Sequence, residues 1–123
     1  MLFLHKDEVL EIHRQLIEEF GGAFGLRDEG LLDSALLAAA NRHHYEAAGI
    51  AICAATYAYH LTRNHPFVDG NKRTSLVVME LFLHINGSEF AASDEECVMI
   101  FLKLAAGELL EEALAAWVAQ HAR

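Results

Sequence analysis

The chain has 123 residues, enough to bury roughly two-thirds of its unfolded surface around one core and too few for a second sizeable one, so a single domain spanning residues 1–123 is expected. Apolar residues make up 54% of it, with one proline and many alanines, which favours compact helices over disorder or a sandwich. Nine Lys and Arg against 18 Asp and Glu give a formal charge of −9, which argues against a general nucleic-acid binder, since nonspecific affinity for a polyanion comes from clustered cations.

From the N-terminus, Met1-Leu2-Phe3-Leu4 is followed at once by His5-Lys6-Asp7-Glu8, unlike a signal peptide. No apolar run is long enough for a membrane span; even Leu81-Phe82-Leu83 is bounded by Glu80 and His84. A cytoplasmic location is the expectation. Val9, Ile12, His13, Leu16, Ile17 and Phe20 recur at three- and four-residue steps, which predicts an amphipathic helix from about Asp7 to Phe20, ended by Gly21-Gly22. His13 falls on its apolar side and reads as a hydrogen-bonded core histidine. Asp28 can cap a second helix through Leu31, Leu32, Ala35, Leu36 and Ala39 to about Arg42. In the loop before it, Arg27 is expected to pair with Asp28 or Glu29.

The third helix, about Ala48 to Arg63, is apolar nearly all round, as a central helix must be. The fourth, about Asn71 to Asn86, leaves only a narrow polar stripe of Arg73, Glu80 and His84, with Glu80 and His84 expected to pair. Ser93-Asp94-Glu95-Glu96 has the pattern of a capping box and starts a fifth helix through Val98, Phe101, Leu102 and Leu104. Gly107 interrupts it, and a last helix, about Glu108 to His121, turns Leu109, Leu110, Leu114, Trp117 and Val118 inward. The fold class is therefore all-α, a compact bundle of about six helices. Cys53 and Cys97 form no C-x-x-C and read as buried free thiols. With no H-E-x-x-H, and with His43 and His44 adjacent, a transition-metal site is not expected.

Between the two most apolar helices lies His65-Pro66-Phe67-Val68-Asp69-Gly70-Asn71-Lys72-Arg73-Thr74-Ser75, which holds the only proline. Pro66 pushes His65 out of the helical region, so the third helix should stop near Arg63 or Asn64, and Asp69-Gly70 makes a turn. The fourth helix then opens with Lys72 and Arg73, two cations at the positive pole of a helix. That placement makes sense if an anion sits there. Free amides and a glycine that lets backbone approach closely suit phosphate. The cradle predicts a nucleotide phosphate, with Asp69 placed to hold Mg²⁺ and His65 free to act as a base.

These residues resemble the signature of the Fic/Doc superfamily, His-x-Phe-x-Asp/Glu-Gly-Asn-Gly/Lys-Arg, and stand closer to its Doc toxin branch. The likeness extends to the Ile12-His13 helix, to Gly21-Gly22 and to Gly25 through Leu36. By that resemblance the Gly22–Glu29 loop is a flap over the motif, Phe67 anchors the loop in the core, and His65 takes the proton of an attacking hydroxyl. Asp69 carries Mg²⁺; Gly70, Asn71 and Lys72 offer backbone amides to ATP; the side chains of Asn71, Lys72 and Arg73 meet phosphate oxygens; and Arg63 matches a basic residue of Doc-like chains.

The AMP-transferring branch has Gly at the position of Lys72 and a second Arg at that of Leu76, so the nucleotide is expected reversed, with its γ-phosphate toward the target. Gly70 departs the other way, since the Doc branch has Ala there. The resemblance implies a toxin-like protein kinase acting on a Thr or Ser hydroxyl of elongation factor Tu and arresting translation. It also implies control by an antitoxin whose disordered tail folds on the toxin. AMP transfer, and a non-catalytic nucleotide-binding module, stand as alternatives.

Overall fold

The computed structural model describes residues 1–123 and contains six helices and no sheet: α1 (Lys6–Phe20), α2 (Glu29–Glu46), α3 (Ile50–Asn64), α4 (Asn71–Ile85), α5 (Asp94–Ala105) and α6 (Glu111–His121). The expected all-α architecture is the one found. α3 is the axis, packed by α2, α4, α5 and α6, while α1 lies across α4. Its Ala54, Ala55 and Ala58 are fully buried and let neighbouring backbones approach closely. Between them Tyr57 packs on Phe82 with ring centroids 5.0 Å apart, and its hydroxyl accepts a hydrogen bond from the Leu4 amide at 3.3 Å. Both cysteines are buried free thiols, and no helix is long and apolar enough to cross a membrane.

Several local expectations differ in detail. α2 runs one turn beyond Arg42 because Arg42 reaches Glu46 at 3.1 Å and the chain turns only at Ala47, in left-handed conformation, after which the Ala48 amide donates back to the Arg42 carbonyl at 3.2 Å. α6 begins at Glu111 rather than Glu108, after Gly107 at φ 77 and an extended Leu110. The Ser93 hydroxyl caps α5 by accepting from the Glu96 amide at 3.2 Å, but the Glu96 carboxylate does not close the box. It accepts instead from Trp117 Nε1 at 2.8 Å, tying α5 to α6. Nor do Glu80 and His84 pair: His84 Nδ1 meets Glu89 Oε1 at 2.6 Å, and burial, with Asp94 nearby, holds the Glu80 carboxyl above its usual range.

Candidate active site

The loop from α3 to α4 is anchored from within. α3 ends at Asn64, and His65 turns the chain with φ 51 and ψ 54, a left-handed backbone rarely held by a residue with a Cβ. Pro66 and Phe67 are then buried, and the Phe67 ring, only 1% exposed, stacks on the His13 ring of α1 at 3.8 Å between centroids and 6° between planes. His13 Nε2 donates to the Asp69 carbonyl at 2.8 Å, so the predicted core histidine supports the motif from below. The Asn71 side chain bonds Phe67 on both sides, its Oδ1 accepting from the Phe67 amide and its Nδ2 donating to the Phe67 carbonyl, each at 2.9 Å. Gly70 sits at φ 77, and a Cβ there would lie 3.0 Å from Ile17 Cδ1. The positive φ favours glycine at this corner, and a Cβ would need Ile17 to give by a few tenths of an ångström.

What this fixes in place is the start of α4. The backbone amides of Asn71, Lys72 and Arg73 have no acceptor in the protein, while the Gly70 amide is taken by Asp69 Oδ1 at 2.8 Å. Three free N–H groups at the positive pole of a 15-residue helix are donors of the kind that suit an anion. Beside them, Lys72 and Arg73 are exposed and form no ion pair with any carboxylate. Arg73 instead lies over the Phe20 ring, 4.3 Å from its centroid.

A second segment straps the motif from outside. The Val68 amide donates to the Gly25 carbonyl at 3.0 Å, and the amides of Arg27 and Asp28 both donate to the Pro66 carbonyl, at 2.7 and 3.0 Å. Leu26 and Phe67 thus form an isolated antiparallel bridge. Asp69 Oδ2 accepts from the Ala23 amide at 3.2 Å, and a Cβ on Gly22 would stand 2.7 Å from that oxygen. The carboxylate is held by two amides yet keeps lone pairs free. One positioned carboxylate beside unpartnered amides fits Mg²⁺, which takes one or two protein carboxylates and fills its shell with other oxygens and water.

His65, Asp69, Gly70, Asn71, Lys72 and Arg73 line one cavity of about 1010 Å³ together with Phe20, Leu76 and a wall of α5. Lys72, Arg73 and His65 thus line the same cavity. The α5 wall is mostly apolar, with Val98, Phe101 and Leu102, but carries the Asp94 carboxylate at its start, and its Cys97 thiol is pushed up to about 11, first by burial and then by nearby carboxylates. That thiol is inert at neutral pH.

Three expectations are corrected. Arg63 does not line the cavity; its Nη1 donates to the Ala105 carbonyl at 3.2 Å and rests on Gly107, where the C-terminal end of α5 attracts a cation. The Asn71 amide group is committed to the Phe67 backbone, which leaves residue 71 its main-chain N–H to offer a phosphate. Arg27 pairs with neither Asp28 nor Glu29: its Nε donates to the His65 carbonyl at 2.7 Å and an Nη to that of Asn64 at 2.8 Å. Phe20 and the α5 wall were not anticipated as site residues. The one sequence signal for the wall was an apolar excess in α5, whose Val98, Met99 and Leu102 are more than any single buried stripe needs.

A sequence profile of the Fic/DOC family matches residues 3–83. The chain is 43% identical over 79 residues to the toxin Doc of Mycolicibacterium smegmatis, a match covering 59% of this chain and 58% of that protein. It is also 32% identical over 96 residues to the protein kinase doc of Escherichia phage P1, covering 77% of this chain and 76% of that one.

Proposed function

The chain belongs to the Fic/DOC family, and from that membership we propose that it is a Doc-type toxin acting as a phosphotransferase, moving the γ-phosphate of ATP to a Thr or Ser hydroxyl of a translation factor. Elongation factor Tu is the target that family resemblance suggests, and arrest of translation the result. The observation that carries the reading is the set of three unpartnered amides at the start of α4, flanked by two unpaired cations and sharing a cavity with His65.

Phosphoryl transfer asks a protein for positioning and charge stabilisation more than for covalent work. The target oxygen attacks the γ-phosphorus; that O–P bond forms as the bond from the γ-phosphorus to the β–γ bridging oxygen breaks, and ADP leaves. The hydroxyl proton passes to an imidazole nitrogen of His65. The amides of residues 71–73, with the Lys72 and Arg73 side chains, hold phosphate oxygens and spread the developing charge. Asp69 would hold Mg²⁺, which supplies charge neutralisation between phosphates when bound. The apolar side of the cavity along α5 accepts the less polar part of the nucleotide.

Control is assigned to an antitoxin whose disordered tail folds on the toxin, and the site of action to the cytoplasm. AMP transfer is the rival chemistry favoured by one feature, Gly70, which stands where the Doc branch has Ala. Incubating the protein with elongation factor Tu and ATP labelled at either the α or the γ position decides between them. The γ label is expected on the factor; α label would mean AMP transfer, and neither label, with toxicity surviving in His65→Ala, would mean a binding module.

A further inference from the structure

The proposed chemistry needs the His65 ring held at the cavity, and His65 stands on backbone that few residues adopt. It is one of two non-glycine residues in the chain with positive φ. Such a conformation persists where the surroundings over-determine it. The last carbonyls of α3 have no donors within their own helix, and the other segment supplies them from a single point. The Arg27 guanidinium donates from Nε to the His65 carbonyl at 2.7 Å and from an Nη to the Asn64 carbonyl at 2.8 Å. The main-chain amides of Arg27 and Asp28 take the Pro66 carbonyl at 2.7 and 3.0 Å. Three successive carbonyls across the turn are thus gripped by one dipeptide.

The fit is specific to arginine. A planar fork can bridge two carbonyls at once, whereas a lysine ammonium cannot span them with the same geometry. The cation also sits at the negative pole of α3, where it is favoured. Arg27 makes no ion pair and does not line the cavity, so neither surface charge pairing nor ligand contact accounts for it.

We propose that Arg27 is a positioning residue that locks His65 in its left-handed conformation and so aims the imidazole at the attacking hydroxyl, linking the outer flap to the base. The inference rests on His65 being that base. Arg27→Gln and Arg27→Lys are compared with Lys6→Ala, which removes ion pairs of 2.6 and 2.7 Å to Glu29 and Asp33 at the same end of α2 without touching the turn. The readouts are kcat and KM for ATP, and the NMR three-bond coupling and Cα shift of His65, which report the sign of φ.

Arg27→Gln is expected to lower kcat roughly tenfold or more with KM for ATP within about twofold, and to abolish the left-handed signature of His65. Arg27→Lys should fall between, and Lys6→Ala should keep wild-type kcat. The proposal is overturned if Arg27→Gln keeps its kcat, if His65 stays left-handed in it, or if Lys6→Ala loses as much. Should Arg27→Gln fail to fold, Arg27→Lys decides by the same readouts. Should the wild type transfer no label, the transfer reading falls and the NMR arm still decides: a His65 that keeps positive φ without Arg27 sinks the inference, and one that loses it upholds the lock.

Discussion

Replacing His65 by Ala removes the only imidazole in the cavity, and loss of a general base typically costs about 10²–10⁴-fold in rate. We expect a fall of that size in label transfer with ATP affinity retained, because the proposed phosphate contacts come from α4. Gly22→Ala makes a different kind of demand. Its Cβ would sit 2.7 Å from Asp69 Oδ2 at a backbone φ of 119, so either the carboxylate or the flap must move. The expected result is a higher Mg²⁺ requirement in a transfer assay and a loss of about 1–2 kcal/mol in denaturant unfolding. The motif residues were readable because Pro, Gly and misplaced cations each state a local backbone or charge constraint. Arg27 was not, since its acceptors lie 37 and 38 residues away and its nearest acids offered an easier local answer.

At the scale of elements, the site depends on where α4 begins. Asn71 closes the loop by bonding Phe67 twice, and Phe67 belongs to the same buried cluster as Tyr57, Leu61 and Phe82 of α3 and α4. Asn71→Ala leaves two buried backbone groups without partners and should cost about 2–4 kcal/mol in chemical denaturation; Asn71→Asp, which keeps one acceptor, should cost less. Helix count, order and the central place of α3 were legible from apolar periodicity and from the single proline. The role of α5 was not. Val98 and Leu102 read only as apolar positions of a fifth helix, yet they are half exposed and wall a cavity, and periodicity does not distinguish core from cavity.

For the molecule as a whole, an acidic body carries a small cationic site. Six of its nine Lys and Arg, namely Lys6, Arg14, Arg27, Arg42, Arg63 and Arg73, are spent on carboxylates, carbonyls or a ring, and Lys72 of the site has no such partner. Stability responds to alkali through the core. Burial pushes the Tyr57 hydroxyl up to about 12 from an ordinary value of 10.0, so as pH rises between those values the unfolded chain gives up this proton first. Stability should therefore fall by about 2 kcal/mol across that window. Tyr57→Phe, compared with wild type by urea unfolding on either side of it, should lack that decrement.

The claim on which everything turns is that α4 begins where a triphosphate docks. Calorimetric titration with ATP and Mg²⁺ tests it without any target protein. The account predicts saturable one-to-one binding, weakened roughly tenfold or more in the Lys72→Ala/Arg73→Ala double variant and weakened further by added salt. Binding of equal strength in that double variant, or none to the wild type, would contradict it.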